Sequence, residues 1–234
     1  MPSVHSSKQY DLELEMMQSQ VLAMGGLVES QFHDAMACFR SGDVAQAEQV
    51  IKGDAAVNQL QVALDDACSR LIVRRQPTAN DLRIVMSTVN IITDLERVGD
   101  ESSKIARTAK SIKERGPAIL NHFETVRVIA ASTSGMLHDA LDALARLDEK
   151  QAIRVIAQDK GVDYEFRSIM RNLITFMMED PRTISIALDT LWVAKAIERI
   201  GDHAKNIAEY VIYIVEGKDI RHTDYAAANK DSAE

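Results

Sequence analysis

The sequence predicts an all-α protein: six long helices arranged as two homologous antiparallel three-helix bundles. Three observations carry this expectation. Aromatic residues make up only 5% of the 234-residue chain, while Ala, Leu, Met, Glu, Gln, Lys and Arg, the strong helix formers, dominate. Apolar residues recur three and four apart between breaks at Gly42, Pro77, Gly116-Pro117, Asp148 and Pro181. The six segments so cut are about 30 residues each, or roughly 45 Å of helix. The chain also repeats itself at a spacing of about 105 residues, the mark of a duplicated unit.

The first segment carries an apolar seam at Leu14, Met17, Val21, Met24, Val28 and Ala35. The second segment's heptad seam reads Ala47, Ile51, Asp54, Asn58, Gln61, Asp65, Cys68 and Ile72. The third holds Glu96-Arg97-Val98-Gly99-Asp100 beside its apolar stripe. In the fourth, Ile119, Phe123, Val126, Ala130, Thr133, Leu137, Ala140, Leu144 and Leu147 form a nearly unbroken seam. The fifth reads Ala152, Ile156, Asp159, Asp163, Phe166, Met170, Leu173 and Met177, and the sixth holds Glu198-Arg199-Ile200-Gly201-Asp202. Connections of about 2–6 residues make sequential helices antiparallel.

The repeat is direct. His33-Asp34-Ala35 returns as His138-Asp139-Ala140, and Val50-Ile51, Asp54 and Val57 return as Val155-Ile156, Asp159 and Val162. The ER(V/I)GD run returns 102 residues on. The expected organisation is residues 8–115 and 117–216 as the two bundles, with residues 217–234 a loose polar tail.

A formal charge of −8 argues against sequence-independent nucleic-acid binding, which needs a basic surface. Two distant cysteines, Cys38 and Cys68, offer neither a disulfide framework nor a thiolate metal site. No apolar run reaches the roughly 20 residues of a membrane helix, and the opening MPSVHSSKQYDLE lacks a signal-peptide pattern. The expected setting is cytoplasmic and reducing. P-loop, GxGxxG, HExxH and GxSxG motifs and the Glu-x-x-His pairs of di-iron oxidases are absent, which argues against an enzyme.

The chemistry lies where the seams break their own rule. Asp54 and Asn58 in one half, and Asp159 and Asp163 in the other, stand at core-facing positions, where a carboxylate must be paired, protonated or metal-bound. Glu96 with Asp100, and Glu198 with Asp202, are i,i+4 like-charge pairs, which oppose a helix unless something positive sits between them. A hard cation held by oxygens accounts for both features, with magnesium, manganese, iron or zinc as the candidate metals. The candidate ligands are therefore Asp54, Asn58, Glu96 and Asp100, and Asp159, Asp163, Glu198 and Asp202. A plain charge network also fits: Lys104 lies four residues after Asp100, Arg97 and Arg199 are near, and Asp202 can reach Asn206. Gly99 and Gly201 mark a close helix crossing or a ligand approach. His203 can join the second cluster from beside Asp202, the methionines read as bundle filler, and Trp192 reads as an interface or core anchor.

ERVGDESSKIA (96–106) and ERIGDHAKNIAEY (198–210), with QLQVALDD after Asn58, MMEDPRTI at 177–184 and GKDIRHT at 217–223, resemble the PhoU family of phosphate-transport accessory proteins. The resemblance spans almost the whole chain. It implies two three-helix bundles, multinuclear metal clusters on the E/DxxxD motifs and a cytoplasmic homodimer. It also implies negative regulation of the phosphate-starvation response, as an adaptor between a PstB-like transporter ATPase and a PhoR-like sensor histidine kinase. The first half departs from the second at Asn58, where the other has Asp163, and at Lys104, where it has Asn206. A metal-dependent carboxylate enzyme and a purely structural scaffold are the competing readings.

Overall fold

A computed structural model describes residues 8–116 and 123–221 of the chain. Six helices are present: α1 (Lys8–Ser41), α2 (Val44–Arg75), α3 (Asn80–Glu114), α4 (Phe123–Arg146), α5 (Glu149–Glu179) and α6 (Ile184–Glu216). A 3-10 turn, Pro181–Thr183, joins the last two, and no strand occurs among the described residues. The start expected for the second bundle at residue 117, the seam residue Ile119 and the tail from residue 222 lie outside the described residues.

The helices end where local chemistry stops them. Asp43 caps α2 by accepting from the Ala45 and Gln46 amides, and Asp148 caps α5 by accepting from Gln151, each satisfying donors the first turn leaves open. Gln76 takes a left-handed conformation ahead of Pro77, which cannot continue the helix. Gly217 closes α6 at φ 76°, a left-handed conformation that favours glycine, and a Cβ there would make the Arg83 guanidinium shift.

Each bundle forms from consecutive helices, α1–α2–α3 and α4–α5–α6. The bundles then join through α3 against α6, supplemented by α1 against α4, leaving α2 and α5 outermost. The predicted α1 seam is buried from Met17 to Ala35, and Val126, Ala130, Thr133, Leu137 and Ala140 of the predicted α4 seam are buried. The α2 stripe is displaced by one residue. Its core face runs through Val50, Val57, Leu64, Cys68 and Leu71, so Val57 faces the core and Asn58 is exposed. A helix of 3.6 residues per turn drifts from a strict heptad, and α2 must serve both α1 and α3. Of the methionines, Met17, Met24 and Met136 fill the core, whereas Met16 and Met178 are exposed, and Trp192 is 68% exposed on α6. Ile220, in the segment read as the start of the tail, is buried.

Burial pushes the thiols of Cys38 and Cys68 up to about 11. Native protein at pH 8 is expected to alkylate with iodoacetamide at least ~100-fold more slowly than urea-unfolded protein, as followed by intact mass. Comparable rates would show that α1 and α2 open readily.

Candidate metal centre

In the second bundle, α5 delivers Asp159 and Asp163 one turn apart, and α6 delivers Asp202 opposite them. One carboxylate oxygen from each lies within 4.8 Å of the others. Asp159 is buried, and Asp163 and Asp202 are half-buried. Burial pushes the Asp202 carboxyl up from 3.8 to about 6, helped by the charges of Glu198 and Asp159 and opposed by Lys195. Three oxygens at this separation suit a hard cation. Glu198 adds a fourth carboxylate on α6 but is ion-paired with Lys195, whose ammonium also lies 5.3 Å from the Phe166 ring. Lys205 donates to Asp159 Oδ2 at 2.8 Å, and Arg167 reaches Asp163 Oδ2 at 3.3 Å. The centre thus carries its own organic counterions, which the sequence reading did not assign.

The first bundle brings Asp54 of α2 close enough to Glu96 of α3 for their charges to interact, but among the described residues only Asp159, Asp163 and Asp202 gather three carboxylates within reach of one ion. The Glu96 carboxyl is raised by burial first and by Asp100 and Asp54 after it, with Arg97 opposing. Arg97 spans Glu96 and Asp100 at 3.6 Å from each. Asp54 Oδ1 is buried and receives no hydrogen bond. A Cβ on Gly99 would come within 3.2 Å of Gln31 Oε1 and Val57 Cγ1 and 3.6 Å of Asp54 Oδ1, so this glycine marks a close helix crossing and an acidic approach at once. Asn58 is exposed on α2. Gln31 is a participant the sequence reading passed over. Its signal was a polar residue one turn beyond Val28 in an otherwise apolar seam.

Neighbouring polar residues pair differently from the simple i,i+4 expectation. Lys104 donates to Glu101 Oε1 at 2.8 Å, not to Asp100, and Arg199 of α6 reaches the same oxygen at 3.1 Å. His203 turns away from the second cluster to contact Asp94 Oδ1 at 2.8 Å, and Asn206 donates to that oxygen at 3.0 Å. About 100° of helical rotation separates position 203 from 202, which directs His203 to α3 while Asp202 faces α5. His138 contacts Glu29 across the α1–α4 junction at 2.9 Å.

Comparison with known proteins follows the same duplication. The PhoU domain matches the chain twice, over residues 21–109 and 126–211. The phosphate-specific transport system accessory protein PhoU of Escherichia coli (strain K12) is 45% identical over 235 residues, covering 97% of this chain and 96% of the relative. The PhoU homolog of Pseudomonas aeruginosa is 47% identical over 218 residues, covering 93% and 90%. The crystal structure of Pseudomonas aeruginosa PhoU superimposes with a TM-score of 0.86 at 45% identity, covering 89% of this chain and all of that one. That of the phosphate transport system regulatory protein PhoU from Streptococcus pneumoniae gives 0.82 at 30% identity, covering 90% and 98%.

Proposed function

From the premise that this chain belongs to the PhoU family, we propose that it is a non-catalytic regulator that restrains phosphate uptake and the phosphate-starvation response when phosphate is plentiful. The observation carrying this reading is the doubled PhoU domain, which falls on both bundles of a chain aligned almost end to end with accessory and regulatory proteins. No helix among the described residues is long and apolar enough to cross a membrane, which is compatible with action at the cytoplasmic face of a transporter. The partners that fit this role are the ATPase of a phosphate ABC transporter and a sensor histidine kinase, with the chain acting as a homodimer.

The acidic centres are the second part of the proposal. Asp159, Asp163 and Asp202, with Glu198 once released from Lys195, would hold a hard divalent or iron-type cation. Asp54, Glu96 and Asp100 would do the same in the first bundle, with Asn58 at most an outer contact. Bound there, the cation supplies positive charge that ties the second helix of each bundle to the third. An all-oxygen carboxylate set suits magnesium, manganese or iron better than zinc. The lysine pairs of the second bundle favour a rival reading in which the carboxylates form only a charge network. A melting temperature unmoved by added Mn²⁺ would select that rival.

A strain lacking the gene, grown in high phosphate, tests the role through alkaline phosphatase expression. Expression is expected to be high, to be silenced by the intact gene, and to stay high with the Glu198→Ala/Asp202→Ala double variant at equal protein level. Silent expression in the deletion strain would overturn the regulatory role. Full restoration by the double variant would remove the second centre from it.

A further inference from the structure

We propose that Gln31 on α1 is a neutral oxygen ligand of the first-bundle cation centre, making that centre a mixed carboxamide–carboxylate site for a hard divalent cation. This rests on the metal reading above and adds a helix and a residue type to it. Gln31 is 6% exposed, and its Oε1 has no hydrogen-bond partner. Its orientation is set by the other end of the amide, since Nε2 donates to the Val50 carbonyl at 3.3 Å and to Ser103 Oγ at 3.4 Å. Reversing the amide would put two carbonyl oxygens against each other at Val50. Oε1 therefore points at Gly99, and the Asp54 oxygen at the same glycine is the other buried acceptor without a donor. With Asp54 ionised, two lone-pair groups cannot satisfy each other, and a cation satisfies both.

Internal symmetry shows why the first bundle needs this ligand. At the α1 positions that correspond to the two α4 residues beside Gly201, the halves exchange polar and apolar residues: Val28 and Gln31 in α1 correspond to Thr133 and Met136 in α4. A Cβ on Gly201 would meet Met136 Sδ and Thr133 Oγ1, both at 3.9 Å. The Thr133 hydroxyl is also buried without a partner, whereas Thr88, Thr93, Thr108, Thr175 and Thr190 all donate to the carbonyl four residues back. Each first helix thus turns one unpaired oxygen toward its glycine. The counterions differ too. Lys195 and Lys205, which engage Glu198 and Asp159, correspond by the 102-residue repeat to Thr93 and Ser103. Ser103 holds Gln31 instead of neutralising Asp54, and Lys104 is drawn to Glu101, so the first centre has no lysine of its own.

The test is Mn²⁺ binding to the full, metal-stripped chain, followed by the loss of the free-ion paramagnetic signal, with thermal melting measured in parallel. Asp54→Asn identifies the binding class that belongs to the first centre. Gln31→Met, which copies the other half, is expected to weaken that class about tenfold or more and to leave the rest unchanged. Gln31→Glu should bind Mn²⁺ at least as tightly while melting lower without it. If no class responds to Asp54→Asn, the first-bundle centre itself fails. An Asp54-sensitive class that Gln31→Met leaves intact would overturn the role of Gln31 while keeping the centre. So would weaker Mn²⁺ binding by Gln31→Glu.

Discussion

Asp202→Asn is expected to raise the melting temperature of the metal-free protein at pH 7.5 by about 4–8 °C and to abolish the cation response of the second bundle. The Asp202 carboxyl titrates near 6 in the folded chain against 3.8 ordinarily, because burial and then Glu198 and Asp159 disfavour its charge. Between those values the unfolded chain has released this proton and the folded chain has kept it. The contribution of this group is therefore neutral below about pH 4, turns unfavourable as pH rises toward 6 and stays so above. Two pH units correspond to roughly 3 kcal/mol, reduced to about 2 kcal/mol because the side chain is partly solvated. For a chain of this length each kcal/mol moves the midpoint by about 2–4 °C. The amide removes the charge and keeps the shape. Wild-type protein should lose stability from pH 4 to 6 through this group and regain it above pH 6 when Mn²⁺ is added, since the cation replaces the proton. The variant should do neither through this centre. A variant that melts lower at pH 7.5 would show that Lys195 already satisfies Asp202.

Much of this arrangement is legible in the sequence because it obeys one-dimensional rules. Helix-forming composition, 3,4 periodicity and the breaks at Gly42, Pro77, Asp148 and Pro181 define the elements, and the duplicated ER(V/I)GD run identifies two related bundles. The pairing of Asp159 and Asp163 with Asp202 follows from in-seam carboxylates facing an i,i+4 acidic helix. What escaped depends on which face a single turn presents. A strict heptad places Asn58 in the seam, but the core stripe passes through Val57. Thr133 falls within the apolar seam of α4, yet its hydroxyl is the unpaired group at Gly201. Gln31 broke the pattern of α1 without any neighbour in sequence to explain it, since its partners are Val50 and Ser103 on other helices.

The junction between the bundles was hidden for a related reason, and it carries the second large effect. Arg199→Met combined with Lys104→Met is expected to cost about 3–4 kcal/mol and to lower the melting temperature by roughly 10 °C. The Glu101 side chain is only 6% exposed, and its Oε1 accepts from Lys104 on its own helix and Arg199 across the junction. Both cations are about half exposed, so either one alone is replaceable at small cost. Removing both strands a buried carboxylate, and that penalty exceeds the worth of either pair. Methionine keeps the alkyl stems and the helix propensity, which isolates the charge as the variable. Adding Glu101→Leu to the double variant should restore most of the loss; failure to do so would mean that stem packing, not charge, holds α3 to α6. The repeat itself explains why these residues stand here. Position 101 is glutamate in one half and 203 histidine in the other, and position 94 is aspartate where 196 is alanine. Two identical faces related by a pseudo-twofold would set like beside like, so the halves depart from each other where they meet, and that departure makes Glu101–Arg199 and Asp94–His203 complementary. Glu96 and Asp100 lie on the same stretch of α3, and Glu198 and Asp202 on the same stretch of α6. The junction therefore fixes the spacing of the two acidic centres, and the double variant should also weaken Mn²⁺ binding in both bundles, although it removes no candidate ligand.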